Sequence, residues 1–163
     1  MVEYGCKRCC RGGFGVEKGE KPIGYWLREA DRAITEAVNR NLERHGLTRT
    51  HWQVLNTVRE SDGEGGIARE SILELLGNFL DGARLEEILG DFYAKKWMEP
   101  AVHPDTGAGV VRMTEEGRAA FSGIFAAQQE TRMRLFEGVT REEYDTLIRV
   151  LRQVVQNASQ MAG

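Results

Sequence analysis

Only three prolines, three cysteines and three histidines occur among the 163 residues. No apolar run approaches the ~20 residues that a membrane-spanning helix needs, so no membrane contact is expected. Cys6, Cys9 and Cys10 share one short stretch, and an odd count with no partner elsewhere excludes a disulfide framework. The absence of cysteine from the remainder suits a reducing compartment. Zinc wants four ligands, and the first histidine after these three thiols is His45, so no metal site is expected. His45, His51 and His103 are scattered, and no glycine-rich phosphate loop joins a strand to a helix. Neither catalysis nor a cofactor is therefore expected. The N-terminus lacks the apolar core of a secretory signal, which makes the cytoplasm the expected location. Positive charge is not in excess either. The formal net charge of -3 counts mildly against a nucleic-acid partner, although a local basic surface is enough to hold one.

What is present is helical periodicity over most of the chain. Residues 1–21 stand apart: glycine-rich and basic (Lys7, Arg8, Arg11, Lys18, Lys21), without apolar periodicity, they read as a flexible tail or as an artefact of the assigned start. A first helix is expected over about 22–44, with Ile23, Leu27, Ala30, Ile34, Ala37, Val38 and Leu42 on one face and Gly46 as its stop. Thr48 or Thr50 caps a second helix that turns Trp52, Leu55 and Val58 inward. The stretch 61–66, SDGEGG, reads as a loop. A third helix spans about 69–76 and ends at Gly77-Asn78. Asp81 caps a fourth, which runs to about Lys96 with Leu85, Ile88, Leu89 and Phe92 as its apolar stripe.

Strands follow near 98–103 and 110–113, joined by the turn Pro104-Asp105-Thr106-Gly107. A fifth helix starts at Thr114, with Glu115 and Glu116 in its first turn where negative charge suits the helix dipole, and continues to about Phe136. The sixth opens on a capping box, Thr140 with Glu143, and Val139 is placed to staple onto Tyr144. Its stripe is Tyr144, Leu147, Ile148, Leu151, Val154 and Val155. The fold class is mainly α with a small β-hairpin wing: a winged helix-turn-helix with flanking helices.

Four stretches carry a resemblance: Leu47-Thr48 with Trp52-x-Val54-Leu55; Leu85-x-x-Ile88-Leu89-x-x-Phe92; Lys95-x-Trp97-Met98-Glu99; and Arg112-x-Thr114-x-x-Gly117-Arg118. In this order and spacing the chain resembles the MarR family of transcription regulators, over about residues 23–157. The resemblance implies a homodimer paired through helices 22–46 and 114–158, with a DNA-binding lobe at about 47–113. It also implies a small aromatic effector bound where the two parts of each subunit meet. Three departures from the family pattern weaken the expected DNA contact. Asn78-Phe79 lengthens the turn before helix four. The early positions of that helix hold Ala83, Arg84, Glu86 and Glu87. The wing tip reads Thr106-Gly107-Ala108-Gly109, without an arginine.

For double-stranded DNA, Arg84 near the start of the fourth helix is the base-edge candidate, because a guanidinium pairs bidentately with guanine. Its i+3 neighbour Glu87 is positioned either to accept from a cytosine amine or to pair with Arg84 itself. Arg69, Ser71 and Asn78 are phosphate candidates beside helix three, as are Lys95, Lys96 and Arg112 at the wing base and His103 near its tip. For an effector, Tyr25, Trp26, Arg28 and Arg32 on helix one and His51 and Trp52 on helix two supply aromatic walls and a cation for a carboxylate or phenolate. Trp52 equally suits the core, and the arginines a solvated face.

The expected function is a DNA-binding transcription regulator, acting as a ligand-responsive homodimeric repressor. A second reading, a dimerisation or protein-interaction module with weakened DNA binding, follows from the acidic fourth helix and the neutral wing. A third, a thiol redox sensor, rests on the Cys6–Cys10 tail, where neighbouring cations lower thiol pKa.

Overall fold

In the computed structural model, residues 20–161 are described. The Cys6, Cys9 and Cys10 stretch lies outside them. The chain forms two compact units, one ending at Glu36 and one beginning at Ala37. The elements in order are α1 (Ile23–Leu42), a 3-10 turn (Glu43–His45), α2 (Arg49–Glu60), a second 3-10 turn (Asp62–Glu64), α3 (Arg69–Leu76), α4 (Gly82–Ala94), β1 (Met98–Val102), β2 (Gly109–Met113), α5 (Glu115–Leu135) and α6 (Arg141–Met161). This is the expected mainly helical order with one hairpin. Several ends fall short of their sequence expectation: α1 tightens into the 3-10 turn after Leu42, α4 gives way after Ala94, and β1 stops one residue before His103. The stretch read as a loop at 61–66 contains a 3-10 turn of its own.

The helix starts follow local chemistry. Thr48 is the N-cap of α2, and its backbone N–H donates to His51 Nδ1 at 3.3 Å. Asp81 caps α4 by accepting from the Arg84 N–H at 2.8 Å. Thr114 caps α5 by accepting from the Gly117 N–H at 3.0 Å. At α6 the capping box closes both ways: Glu143 Oε2 accepts from the Thr140 N–H at 2.8 Å, and Thr140 Oγ1 accepts from the Glu143 N–H at 3.2 Å. These bonds from Thr140 hold the Glu143 carboxyl below its ordinary pKa. The ring that packs edge-on against Tyr144 is Phe136, with centroids 5.0 Å apart, while Val139, expected as the staple, is exposed.

The core of the second unit is built by α2, α3, α4, the hairpin and the N-terminal half of α5. Val54, Leu55, Ile72, Leu85, Ile88, Phe92, Val111 and Ile124 are almost fully buried there. Trp52, expected inside, is half-buried at its margin and stacks on Phe121 at 5.5 Å. β1 and β2 pair antiparallel in the register Met98↔Met113 to Val102↔Gly109. A third backbone segment joins them. Ile67 exchanges two hydrogen bonds with Val111, 3.0 and 2.8 Å long, so the residues before α3 lie against β2. Gly66 allows this approach. Its φ is +109°, and a Cβ there would sit 2.8 Å from the Val111 carbonyl oxygen.

The wing is locked onto α5 at one junction. The Thr114 N–H donates to the Trp97 carbonyl at 3.0 Å, and the Thr114 hydroxyl donates to the Lys96 carbonyl at 2.6 Å. A Cβ on Gly117 would fall inside the van der Waals envelope of the Trp97 oxygen. α6, by contrast, buries no residue. We predict that Gly117→Ala lowers the unfolding free energy by about 3 kcal/mol, because backbone must move to admit the methyl group. Urea denaturation measures this, and a loss under about 0.5 kcal/mol would mean that the contact is loose.

Candidate nucleic-acid interface

The outward face of α4 presents Ala83, Arg84, Glu86, Glu87, Gly90 and Asp91, all exposed, while Leu85, Ile88, Leu89 and Phe92 hold the opposite face in the core. The period of the apolar stripe therefore fixes which side chains a partner meets. Arg84 stands in the first turn, anchored through its own N–H to Asp81. Its guanidinium bonds Glu87 at 2.6 Å. Of the two roles open to Glu87, the ion pair is the one this geometry displays.

Each arginine expected at the interface already has a carboxylate partner. Arg69, the first residue of α3, reaches Glu86 of α4 at 3.1 Å and the Tyr93 hydroxyl at 3.3 Å. Burial pushes the Tyr93 phenol above its ordinary pKa, against the pull of the neighbouring Arg69 charge. Arg112 on β2 pairs with Glu99, its cross-strand neighbour, at 2.6 Å. These pairs are exposed, so each contributes at most about 1 kcal/mol and an incoming phosphate can displace it. The freed carboxylates would remain beside that phosphate and repel it. Lys95 follows α4 and lies over the Trp97 ring at 5.7 Å, and Lys96 is exposed next to it. His45 is held below its ordinary pKa by burial, then by the charges of Arg44 and Lys95.

Ser71 is half-buried on α3, and Asn78 is exposed in the turn before α4. In that turn Leu75 and Phe79 are also exposed. At the wing tip, His103 Nδ1 accepts from the Asp105 and Thr106 N–H groups at 3.2 and 3.4 Å, which shapes the turn. Arg69, Asn78, Arg84, Arg112 and the lysines thus belong to one run of elements, α3 through β2. Sequence reasoning missed the Arg69–Glu86–Tyr93 link, because no local pattern joins residues on two different helices.

The residues expected at an effector site divide between the two units. In the first, Tyr25 and Trp26 meet edge to face at 5.3 Å, Lys21 lies over Tyr25, and Arg28 and Arg32 share with Tyr25 an open groove along α1. Arg32 is bound to Glu36 at 2.6 Å and Glu29 at 2.9 Å, and these hydrogen bonds, Glu29 first, raise its pKa. In the second unit His51 is buried and occupied. Its Nδ1 receives the Thr48 N–H and lies 2.7 Å from the Thr48 hydroxyl, and its Nε2 lies 3.1 Å from Asp91 Oδ2. A ring accepting at Nδ1 carries its proton on Nε2, so the neutral imidazole ties the start of α2 to α4.

Among the described residues no cluster of three metal-ligating side chains occurs, and no helix is long and apolar enough to cross a membrane.

The sequence matches no protein-family model and no curated protein. Solved structures do match in three dimensions. A mutant of E. coli MarR complexed with operator DNA superposes with a TM-score of 0.69 and 23% identity, over 82% of this chain and 93% of that one. The S. aureus MepR–DNA complex gives 0.75 and 16%, over 86% and 99%. A probable transcriptional regulator from Pseudomonas aeruginosa gives 0.68 and 22%, over 82% and 97%. The fold is that of the MarR regulators. On the MarR fold, α2 to α4 form the helix-turn-helix and the β1–β2 hairpin is the wing.

His51 supplies a test of local structure. His51→Phe keeps a ring against Phe92, which it meets edge-on at 5.8 Å, but removes the bonds to Thr48 and Asp91. The expected loss is about 1 kcal/mol of stability in urea unfolding, the usual worth of such bonds. An unchanged midpoint and slope would show that the imidazole holds nothing together.

Proposed function

We propose that this chain is a DNA-binding transcription regulator, acting in the cytoplasm as a ligand-responsive homodimeric repressor and not as an enzyme. The observation that carries the reading is α4 itself: an N-capped helix with an exposed outer face, followed at once by a wing, on a fold shared with two regulators solved on DNA. In such an arrangement the helix enters the major groove and the wing flanks it. Arg84 reads a base edge, and Arg69, Ser71, Asn78, Lys95 and Arg112 contact the backbone.

Pairing is supported by the surface of α6. Leu147, Val150, Val154 and Val155 stand exposed along a helix that has no fully buried residue. A second copy is the natural cover, with residues 22–46 and 114–158 as the dimerisation helices and about 47–113 as the DNA-binding lobe. Two copies would hold their α4 helices about one DNA turn, ~34 Å, apart to engage a palindrome. An aromatic effector held by Tyr25, Trp26 and Arg28 would favour another spacing and shift the population away from the DNA-competent dimer.

One observation favours a second reading. The exposed face of α4 carries Glu86, Glu87 and Asp91 against Arg84 alone, and every interface arginine is paired within the chain. A dimerisation or protein-interaction module with weakened DNA binding would look like this.

Electrophoretic mobility shifts against the gene's own upstream DNA, over a salt series, separate the two readings. A regulator loses affinity steeply with salt, in proportion to the phosphates it neutralises. Arg84→Ala is expected to weaken specific binding about tenfold or more, the range of one bidentate base contact. Glu87→Gln, which frees Arg84 and removes a repelling carboxylate, should strengthen it. Salt-insensitive binding, or variants that match the parent protein, would favour the interaction module.

Sedimentation at micromolar concentration checks pairing. The parent chain should run as a dimer and Val154→Glu as a monomer, since a charge at the centre of an apolar seam is left uncompensated. A parent monomer would remove the mechanism.

A further inference from the structure

The turn between α3 and α4 carries two large apolar side chains that the core does not use. Leu75, in the last turn of α3, is 65% exposed, and Phe79, four residues on, is 59% exposed. Leu80, directly before the N-cap Asp81, is buried in the same core cluster as Leu85. An apolar residue before the cap ordinarily packs on the fourth residue of the helix, and Leu80 and Leu85 hold those two positions. The need for an apolar residue at the entry to α4 is thus met by Leu80, and Phe79 is left facing solvent.

The ring is carried on a hydrogen-bonded turn. The Phe79 N–H donates to the Leu76 carbonyl at 2.8 Å, and the Leu80 N–H donates to the same oxygen at 3.3 Å. Two residues after Phe79, the Asp81 side chain accepts from the Arg84 N–H at 2.8 Å. Phe79 therefore has a fixed place at the entry to α4, whose first residues, Gly82 and Ala83, are small and exposed.

Size and chemistry select the partner. A patch of two side chains is far smaller than the roughly 800 Å² that each partner contributes to a stable protein interface. It is continuous with the helix that enters the major groove in the reading above. A thymine in that groove presents a 5-methyl group, and phenylalanine is among the side chains that meet it. Arg69, Arg84 and Arg112 must each leave a carboxylate before reaching DNA. Phe79 has no such competitor, because an apolar contact breaks no ion pair.

We propose that Phe79 is a specificity-determining residue that packs on the 5-methyl group of a thymine in the major groove. This rests on the DNA-binding reading of α4 and adds to it a base preference that Arg84 does not supply.

Selection from a randomised duplex library with the full parent chain yields the sequence on which to test it. Each thymine is then replaced singly by deoxyuridine, which keeps the base-pair hydrogen bonds and lacks only the methyl group. In mobility-shift titrations at one salt concentration, at least one replacement should weaken the parent chain about fourfold, the worth of one buried methyl. In Phe79→Ala that replacement should have no measurable effect, whereas Phe79→Leu, which keeps an apolar side chain, should retain the discrimination. A change in duplex shape would act on all three chains alike. Phe79→Ala should also keep the parental thermal midpoint, because the ring is exposed. Equal deoxyuridine sensitivity in the parent and Phe79→Ala would overturn the proposal and leave the regulator reading standing, as would a parent chain indifferent to every replacement. A Phe79→Ala chain that sediments as a smaller species than the parent would overturn it by assigning the ring to contact between copies. Failure of the parent chain to select any sequence would remove the regulator reading and this proposal with it.

Discussion

The meeting of the Trp97 carbonyl with Thr114 and Gly117 governs the geometry of everything downstream. One hydroxyl caps α5, closes onto the Lys96 carbonyl and fixes where the hairpin returns. Lys96 itself adopts a left-handed conformation, φ 58°, which costs a non-glycine residue about 1 kcal/mol and persists because both sides of the junction hold it. α4 therefore ends abruptly at Ala94, and β1 begins at Met98. A two-stranded ribbon alone is marginal in water, and this junction adds to the core packing of Met98, Val111 and Met113 that holds the wing. Ile67 adds to the restraint from the other side, pairing with Val111 and so tying the entry to α3 into the same structure. α3, α4 and the wing thus share one buried core, and the Ile67–Val111 bonds tie the entry of α3 to the wing.

Those charges make a surface neutralised from within. Arg69 and Glu86 join α3 to α4, Arg84 and Glu87 lie along α4, and Arg112 and Glu99 span the hairpin. Exposed pairs hold little free energy, so they set the orientation of the guanidinium groups at small cost. Any anionic partner must compete with carboxylates that cannot leave. The outcome is a surface on which binding is conditional: local repulsion trims non-specific attraction, and only a partner that supplies directed contacts to Arg84 gains from displacing Glu87. An acidic recognition face is thereby compatible with either a selective DNA reader or a protein-binding surface, and the sign of the Glu87→Gln effect distinguishes them physically.

Most of the fold was legible in the sequence because its signals are local. Asp81, Thr114 and the Thr140–Glu143 box mark helix starts through bonds spanning three residues, and the stripe of α4 reads directly as one buried face. What escaped was whatever joins distant segments. Nothing near His51 announces Asp91, forty residues on, nor does SDGEGG announce a bridge from Ile67 to β2. His51 shows the difference: its place among aromatics suggests a ligand contact, and the structure adds the bonds to Thr48 and Asp91 that no local pattern announces. Periodicity also says that a face is apolar but not what covers it. Phe136, from the preceding turn, packs edge-on against Tyr144.

That last limit bears most heavily on α6. α6, 21 residues long, leaves Tyr144, Ile148 and Leu151 half-buried and no residue fully buried, whereas helices owe most of their stability to the burial of their apolar face. Its capping box and the Arg141–Asp145 pair contribute only fractions of a kcal/mol to about 1 kcal/mol each. Leu147, Val150, Val154 and Val155 are the apolar side chains of α6 that its own chain leaves exposed. If their cover is a second α6, the same burial that completes the helix joins two copies, and folding of the C-terminal segment is coupled to assembly. The position of each α4 relative to its twin would then be fixed by the packing of this seam, so that a change in seam geometry and a change in DNA spacing would be one event.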